Sequence, residues 1–414
     1  MSHARVADST KAISSASQFS NSEKSTVSLN KLRADTPACE DVTHFNNAGA
    51  SLMPRPVFEA LTAHLALEQE IGGYEAQDAA AEAYADFYSA FAELLNCEAD
   101  EIAFVESATR AWDMAFYSLP LVPGDRILVH SSTYSSNYLA LLQLARRKDL
   151  TIDFVPSDEH GQIDVSAMPG LVQDRTKLVL LTHCPSQSGL IQPAEAVGQF
   201  AKDHELLYLL DACQSVGQMP VDVQAIDCDA LTGTGRKFLR GPRGTGFLYM
   251  RRELAERIEP AFVDLQSATL QSKDRYQLAP GARRFESWER NVAGQIALGK
   301  AARYAMGIGL DVIAGRVQAL AEELRGRLSE LDGVMVHDPG EHRSAIVTFA
   351  KDGVDVADAK ARLRAQKINV STSPRDWALL DSEARQLPDL IRASVHVYNN
   401  EAEVERLVDV VSAL

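Results

Sequence analysis

From about residue 95 the chain alternates short, β-branched apolar runs with longer amphipathic stretches, and this rhythm constrains its fold more than any other feature. The runs fall at 102–105, 126–130, 151–155, 177–182 and 206–210. Apolar runs of that length, separated by helix-length segments, imply a mostly parallel sheet wrapped by helices. Two of the intervening segments, 108–119 and 194–203, carry helical periodicity, and Pro193 opens the second near its first turn. A Gly-rich turn ending at Gly244 leads into one more strand at 245–249. The pattern then changes. A long helix is expected from about 291 to 306 and another over 311–330, with shorter strands at 345–349 and 391–397 alternating with helices. The last stretch, 400–414, reads as an amphipathic helix capped by Asn399. The expectation is an α/β protein with a large domain over 37–290, whose first residues contribute to a smaller α+β domain over 291–414.

A chain of 414 residues, 46% of them hydrophobic, is long enough to give each domain its own core. Its formal net charge of −16, with no compensating run of Lys and Arg, argues against nucleic acid or an anionic membrane as partner. The longest apolar stretches fall far short of the ~20 residues a bilayer span needs. Five cysteines, Cys39, Cys97, Cys184, Cys213 and Cys228, are scattered without CxxC spacing. An odd, dispersed set fits reduced thiols in a cytoplasmic protein and argues against a zinc site or a disulfide framework. Residues 1–36 are rich in Ser, with charged residues interspersed and no apolar core, and read as a disordered leader. Asp8, Glu23 and Asp35 depart from the acid-poor composition of a transit peptide.

Ligands of an open parallel sheet bind beyond the carboxyl ends of its strands. Polar residues follow the apolar runs at those places: Thr109, Tyr134, His183, Asp211 and Gln214. The run 206–210 ends abruptly in Asp211, which places a carboxylate at the ligand edge. Such an Asp taken alone is more often a cap or turn residue. About twenty-five residues later comes Thr232-Gly233-Thr234-Gly235-Arg236-Lys237, whose lysine sits in a turn between two strands. Lysines in turns are ordinarily solvated, but Thr, Gly and Arg around one suggest a phosphate cradle whose neighbouring cation lowers the amine's pKa. A lysine, a strand-end aspartate and a phosphate nest are the protein parts that pyridoxal-phosphate (PLP) chemistry requires. Upstream, Ser107-Ala108-Thr109 opens a helix, and a helix N-terminus is a ready phosphate site as well as a common cap. By contrast 294–300 matches the GxxxxGK spacing of a nucleotide loop but follows no strand, lacks the final Ser or Thr and lies in a helical pattern, so it is rejected.

The segment 180–250 resembles the class V aminotransferase and cysteine desulfurase family of fold-type I PLP enzymes, and a looser match extends from about 42 to 414. The resemblance implies a large domain built on a seven-stranded, mostly parallel sheet, and a homodimer acting on a small amino acid. It further implies that Lys237 carries PLP as a Schiff base, Asp211 pairs with the pyridine N–H and Gln214 reaches the phenolic oxygen. Thr234 and Arg236, with Ser107, Ala108 and Thr109, correspond to phosphate contacts, Ser186 to a cofactor contact and Tyr134 to the ring-stacking aromatic. The 44–49 segment, with Asn47 and Ala48, resembles the part whose backbone lies over the substrate carboxylate. Arg392, in Ile391-Arg392-Ala393-Ser394, matches the arginine that forks that carboxylate, a task suited to a planar guanidinium.

Two departures bear on the reaction. Desulfurases carry a mobile catalytic cysteine before the arginine strand, whereas 368–377 here reads Ile-Asn-Val-Ser-Thr-Ser-Pro-Arg-Asp-Trp. In addition, Arg284-Phe285-Glu286-Ser287-Trp288-Glu289 stands where the family often places a Gly-Thr pair reaching the partner subunit's phosphate. The missing thiol and the Tyr-Ser-Ser-Asn variant at 134–137 look more like the branch with cysteine-conjugate and sulfoxide lyases and isopenicillin-epimerase-like proteins. β-Elimination from a cysteine-derived amino acid is therefore the favoured reaction, with transamination and epimerisation as alternatives. A non-catalytic PLP-binding regulator ranks last, since the leader offers no DNA-binding module.

Overall fold

A computed structural model describes residues 28–414. After a short strand β1 (Thr43–His44), seven strands build the central sheet: β2 (Ile102–Val105), β3 (Arg126–Val129), β4 (Thr151–Phe154), β5 (Thr176–Thr182), β6 (Leu207–Asp211), β7 (Ala230–Thr234) and β8 (Gly246–Met250). Their spatial order is β2-β8-β7-β6-β5-β3-β4. All neighbours are parallel except β8, which runs antiparallel to both β2 and β7. The sheet is therefore mixed at one end, as expected where the chain turns back tightly after Lys237 instead of crossing over through a helix.

The apolar runs are continuous because this sheet is buried on both faces. Leu178, Leu180 and Leu209 join the cluster formed with the helices Ala108–Phe116 and Ser135–Lys148. Their neighbours Val179, Leu181, Tyr208 and Leu210 point the other way, into a cluster that includes Val197 and Phe200 of the helix Ala194–Asp203.

The hairpin β9 (Ala268–Ser272) and β10 (Arg275–Leu278) precedes the long helices Val292–Ile308 and Leu310–Ser329. The rejected GxxxxGK match lies inside the first of these. Its Gly299 serves packing, because a Cβ there would come within 2.9 Å of the Phe87 backbone. A second sheet has β11 (Val334–Val336), β12 (Ile346–Lys351), β14 (Ser371–Ser373) and β15 (Leu390–Ser394) in the antiparallel order β11-β12-β15-β14. Strand β13 (Ile368–Asn369) pairs in parallel with β1, so the N-terminal segment is tied to this sheet as the sequence suggests.

Three local readings change. The leader expected over 1–36 falls outside the described residues up to 27, but its end is ordered. Leu29–Ala34 is a helix capped by Ser28 that buries Leu32, and Arg33 donates to the Tyr398 carbonyl at 3.0 Å. The strand expected to reach 397 stops at Ser394. The last helix, Glu401–Ser412, is capped by Asn400 and not Asn399, because only Asn400 can form the reciprocal box with Glu403 three residues on.

Candidate active site

The carboxyl ends of β5, β6 and β7 converge on a cavity of about 210 Å³. Thr182 and Asp211 are register partners at the ends of β5 and β6, and the His183 N–H donates to the Asp211 carbonyl at 2.9 Å. The Asp211 side chain is only 4% exposed and has a partner on each oxygen. The Cys213 backbone N–H donates to Oδ1 at 2.9 Å, and Asn137 Nδ2 donates to Oδ2 at 2.8 Å.

Lys237 lies in the turn between β7 and β8, closed by Gly241 N–H to Gly235 O (2.7 Å) and Arg240 N–H to Lys237 O (3.0 Å). Arg240 takes a positive φ of 61° there, an uncommon conformation for a residue with a Cβ. It is held by a hydrogen bond from Nε to the Leu52 carbonyl (2.9 Å) and by stacking over the Tyr398 ring, 4.6 Å from its centroid. The Lys237 amine is buried, forms no hydrogen bond among the described residues and lies 6.0 Å from the centroid of the Tyr134 ring. Burial lowers its pKa, and the Arg236 and Arg392 charges push in the same direction against Cys213 and Asp211.

Nine of the residues singled out in the sequence line this cavity: Ser107, Ala108, Thr109, Tyr134, Ser186, Asp211, Thr234, Arg236 and Lys237. Ser107 is the N-cap of the helix Ala108–Phe116 and accepts from the Arg110 N–H at 3.2 Å. The first N–H groups of that helix have no partner within it. Gly246 on β8 lets this helix end approach, since a Cβ there would lie 2.7 Å from the Ser107 carbonyl carbon.

Gln214, Arg392, Asn47 and Ala48 are not on the cavity wall; they form a layer behind it. Gln214 Nε2 donates to Ser186 Oγ (2.9 Å) and to the Ala48 carbonyl (3.1 Å), leaving its Oε1 buried without a partner. Arg392, on β15, donates from Nη1 to the Ser186 carbonyl at 2.6 Å, and its Nε is buried and unpaired. Burial pulls the Arg392 pKa down to about 10. The Asn47 side chain is consumed within the chain: Nδ2 donates to the Ser394 carbonyl at 2.7 Å and Oδ1 accepts from Tyr398. The Ala48 N–H donates to Ser394 Oγ at 2.8 Å. This segment therefore braces Gln214 instead of facing the cavity.

Asn137, Cys184, Cys213 and Arg240 are site residues that sequence reasoning passed over. Asn137 and Cys213 lie inside the motifs already noted, but nothing local indicates that Asn137 reaches a strand end 74 residues away. The two thiols also qualify the absence of cysteine from 368–377, since both line the cavity. Burial raises the pKa of each, with the Asp211 charge adding to it. In the segment 284–289, Glu286 is buried and accepts from Tyr88 Oη (2.7 Å) and the Phe104 N–H (2.9 Å), while Trp288 is half exposed.

A PLP molecule fits this arrangement on three observations of the chain itself. They are an unpartnered buried amine, a strand-end carboxylate oriented from two sides, and an open helix N-terminus that glycine keeps within reach.

The profile of the family described as Aminotransferase class-V matches residues 43–407. A Pyrococcus abyssi protein named "Probable cysteine desulfurase" is 29% identical over 392 residues, which are 92% of this chain and 96% of that one. Among solved structures, the apo cysteine desulfurase of Thermococcus onnurineus NA1 superposes with a TM-score of 0.86 at 28% identity, covering 93% of this chain and 97% of its own. The cystine C-S lyase C-DES, in complex with its product cysteine persulfide, superposes with a TM-score of 0.82 over 91% of this chain and 99% of its own. At 24% identity that last likeness speaks to the fold alone.

Proposed function

Since the chain belongs to the class V aminotransferase family and is a PLP-dependent enzyme of the fold-type I architecture, we propose that it catalyses β-elimination from a cysteine-derived amino acid. The observation that carries this reading is one cavity that unites the Lys237 amine and the Asp211 carboxylate, joined through Tyr134 and Ser186 to a crevice where the segment 368–377, which holds no thiol, arrives at Trp377. The named relatives are cysteine desulfurases, but the thiols at this cavity are Cys184 and Cys213. Burial keeps both protonated, and the thiol is a poor nucleophile compared with the thiolate.

In this reading Lys237 would hold the cofactor covalently, and the burial that lowers its pKa favours the neutral form of the amine that the attachment needs. Asp211, fixed by Asn137 and the Cys213 N–H, would hold the proton on the ring nitrogen. The helix end at Ser107, Ala108 and Thr109, with Thr234 and Arg236, would hold the phosphate. Tyr134 would cover one face of the ring, and Ser186, held by Gln214, would meet its phenolic oxygen. When bound, the cofactor supplies an electron sink for the bond broken at Cα. The free Lys237 amine then takes the Cα proton. Arg392, whose buried Nε has no partner, would pair with the substrate carboxylate from behind the cavity wall. The balanced reaction is cysteine conjugate plus water to pyruvate, ammonia and the free thiol. Asn47 and Ala48 act through Gln214.

The enzyme is further read as a cytoplasmic homodimer. Among the described residues no helix is long and apolar enough to cross a membrane. Tyr74 and Trp288 line one pocket while at least half exposed, which is the kind of apolar surface a second copy covers. Light scattering at micromolar concentration checks this.

The reaction is tested by a single-turnover spectrum taken with and without a keto acid. Pyruvate and free thiol should appear with no second substrate, and should persist in the Cys184→Ala/Cys213→Ala double variant. A requirement for a keto acid would instead assign an aminotransferase.

A further inference from the structure

The stretch 368–377 that stands in place of the cysteine-bearing segment runs through β13 and β14 into a short helical turn, Arg375–Ala378, followed by the helix Leu379–Ala384. It is tied down at several points. The Arg375 N–H donates to Asp389 Oδ1 at 2.8 Å, Asp381 pairs with Arg385 at 3.0 Å, and the Trp377 carbonyl accepts from Ser135 Oγ at 2.5 Å. That last bond places the segment beside Tyr134 at the start of the helix Ser135–Lys148. Despite this anchoring, Trp377 is 58% exposed and Leu379 is 47% exposed.

Between the segment and the strand ends runs a crevice lined by Gln187, Trp377, Ala378 and Asp381, and it shares Tyr134 and Ser186 with the cofactor cavity. Gln187 is nine-tenths buried, yet its side-chain oxygen has no partner. A buried acceptor in that state is open to a hydrogen bond from a water or a ligand group. The enclosed volume is only about 10 Å³, room for a water-sized group. A larger substituent must therefore lie across the mouth, against the exposed indole.

We propose that Trp377 and Gln187 determine specificity, selecting cysteine S-conjugates whose sulfur carries a flat aryl or arylmethyl group over those with a small S-alkyl group. The indole covers the ring by offset stacking while the sulfur stays beside Tyr134 and Ser186, next to Lys237. A polar atom of the conjugate, or a water it holds, meets Gln187. The inference rests on the lyase reading for its substrate class, but its binding arm does not depend on turnover.

The test compares wild-type, Trp377→Ala and Trp377→Phe holoenzymes with S-benzylcysteine and S-methylcysteine, following thiol release and, separately, calorimetric binding. Trp377→Ala should lower kcat/KM for the benzyl conjugate roughly tenfold, mainly through KM, and change the methyl conjugate less than about twofold. Trp377→Phe should restore most of the loss. Equal losses on both conjugates, or none on either, would overturn the proposal. If no thiol is released from either compound, the lyase reading fails alone, and a calorimetric preference for the benzyl compound that disappears in Trp377→Ala still upholds the subsite.

Discussion

At the strand ends of the large sheet, Asp211 has a hydrogen-bond donor on each carboxylate oxygen, whereas on the inner strand β15 of the small sheet Arg392 keeps a buried Nε with none. Both are charges removed from water, and burial without partners is costly. The difference separates a site completed within the chain, ready for a resident group, from one left incomplete for a ligand that comes and goes. Lys237 shares the incompleteness of the second kind although its partner is the resident group: it is buried, unpaired and lowered in pKa until something bonds to its amine. The binding energy recovered there is available to catalysis because the protein holds the geometry in advance.

The largest expected effect breaks the cofactor side outright. Lys237→Ala should reduce turnover by at least about 10³-fold while PLP still binds through the phosphate contacts. In the wild type, borohydride should fix the cofactor to the peptide containing Lys237, and mass spectrometry finding it on Lys300 would refute the assignment. Next, Asp211→Asn keeps the shape but removes the charge that Asn137 and the Cys213 N–H orient. Deuterium exchange at Cα should fall by on the order of 10², with the circular dichroism spectrum unchanged. Exchange at the wild-type rate would mean that the carboxylate does not hold the ring proton.

On the substrate side, Arg392→Ala removes a charged hydrogen bond of ~1.5–3 kcal/mol, which lowers kcat/KM by roughly one to two orders of magnitude. The loss should vanish for the decarboxylated amine analogue, and equal losses for acid and amine would show that no carboxylate is held there.

The smallest effect sharpens the comparison through stability. A buried amine whose folded pKa lies below its unfolded value binds fewer protons folded than unfolded, so its cost is present at neutral pH and declines as pH rises towards the unfolded value near 10.4. Lys237→Met should therefore raise the Tm of the PLP-free protein by about one degree at pH 7, a shift of roughly 1 kcal/mol. That gain should shrink as pH approaches 10. A variant less stable than wild type at pH 7 would place Lys237 among the paired residues, with Asp211.

The two regions also differ in how far they could be read in advance. Lys237, Asp211 and the 107–109 helix start were legible because each follows directly from a local pattern: an apolar run that ends, a Gly-rich turn, a Ser cap. Cap identity was legible only to within one residue, since choosing Asn400 over Asn399 depends on which side chain Glu403 can answer. Asn47 and Ala48 were placed at the substrate, but their polar groups turn to Ser394, Tyr398 and Gln214. Direction of that kind is set by packing across hundreds of residues.

What the sequence determined by itself is six of the seven central strands, all but β7, because burial on both faces demands unbroken apolar runs, and with them most of the strand-end positions where chemistry can sit. The tertiary structure alone decided which of those positions meet. It brought Asn137 to Asp211, and Arg392 to a Ser186 carbonyl 206 residues away; it put Cys184 and Cys213 on the cavity wall and Trp377 at the crevice. The physical reason is that periodicity is fixed by neighbours three or four residues apart, whereas a buried charge takes whatever partner the packed fold delivers to it.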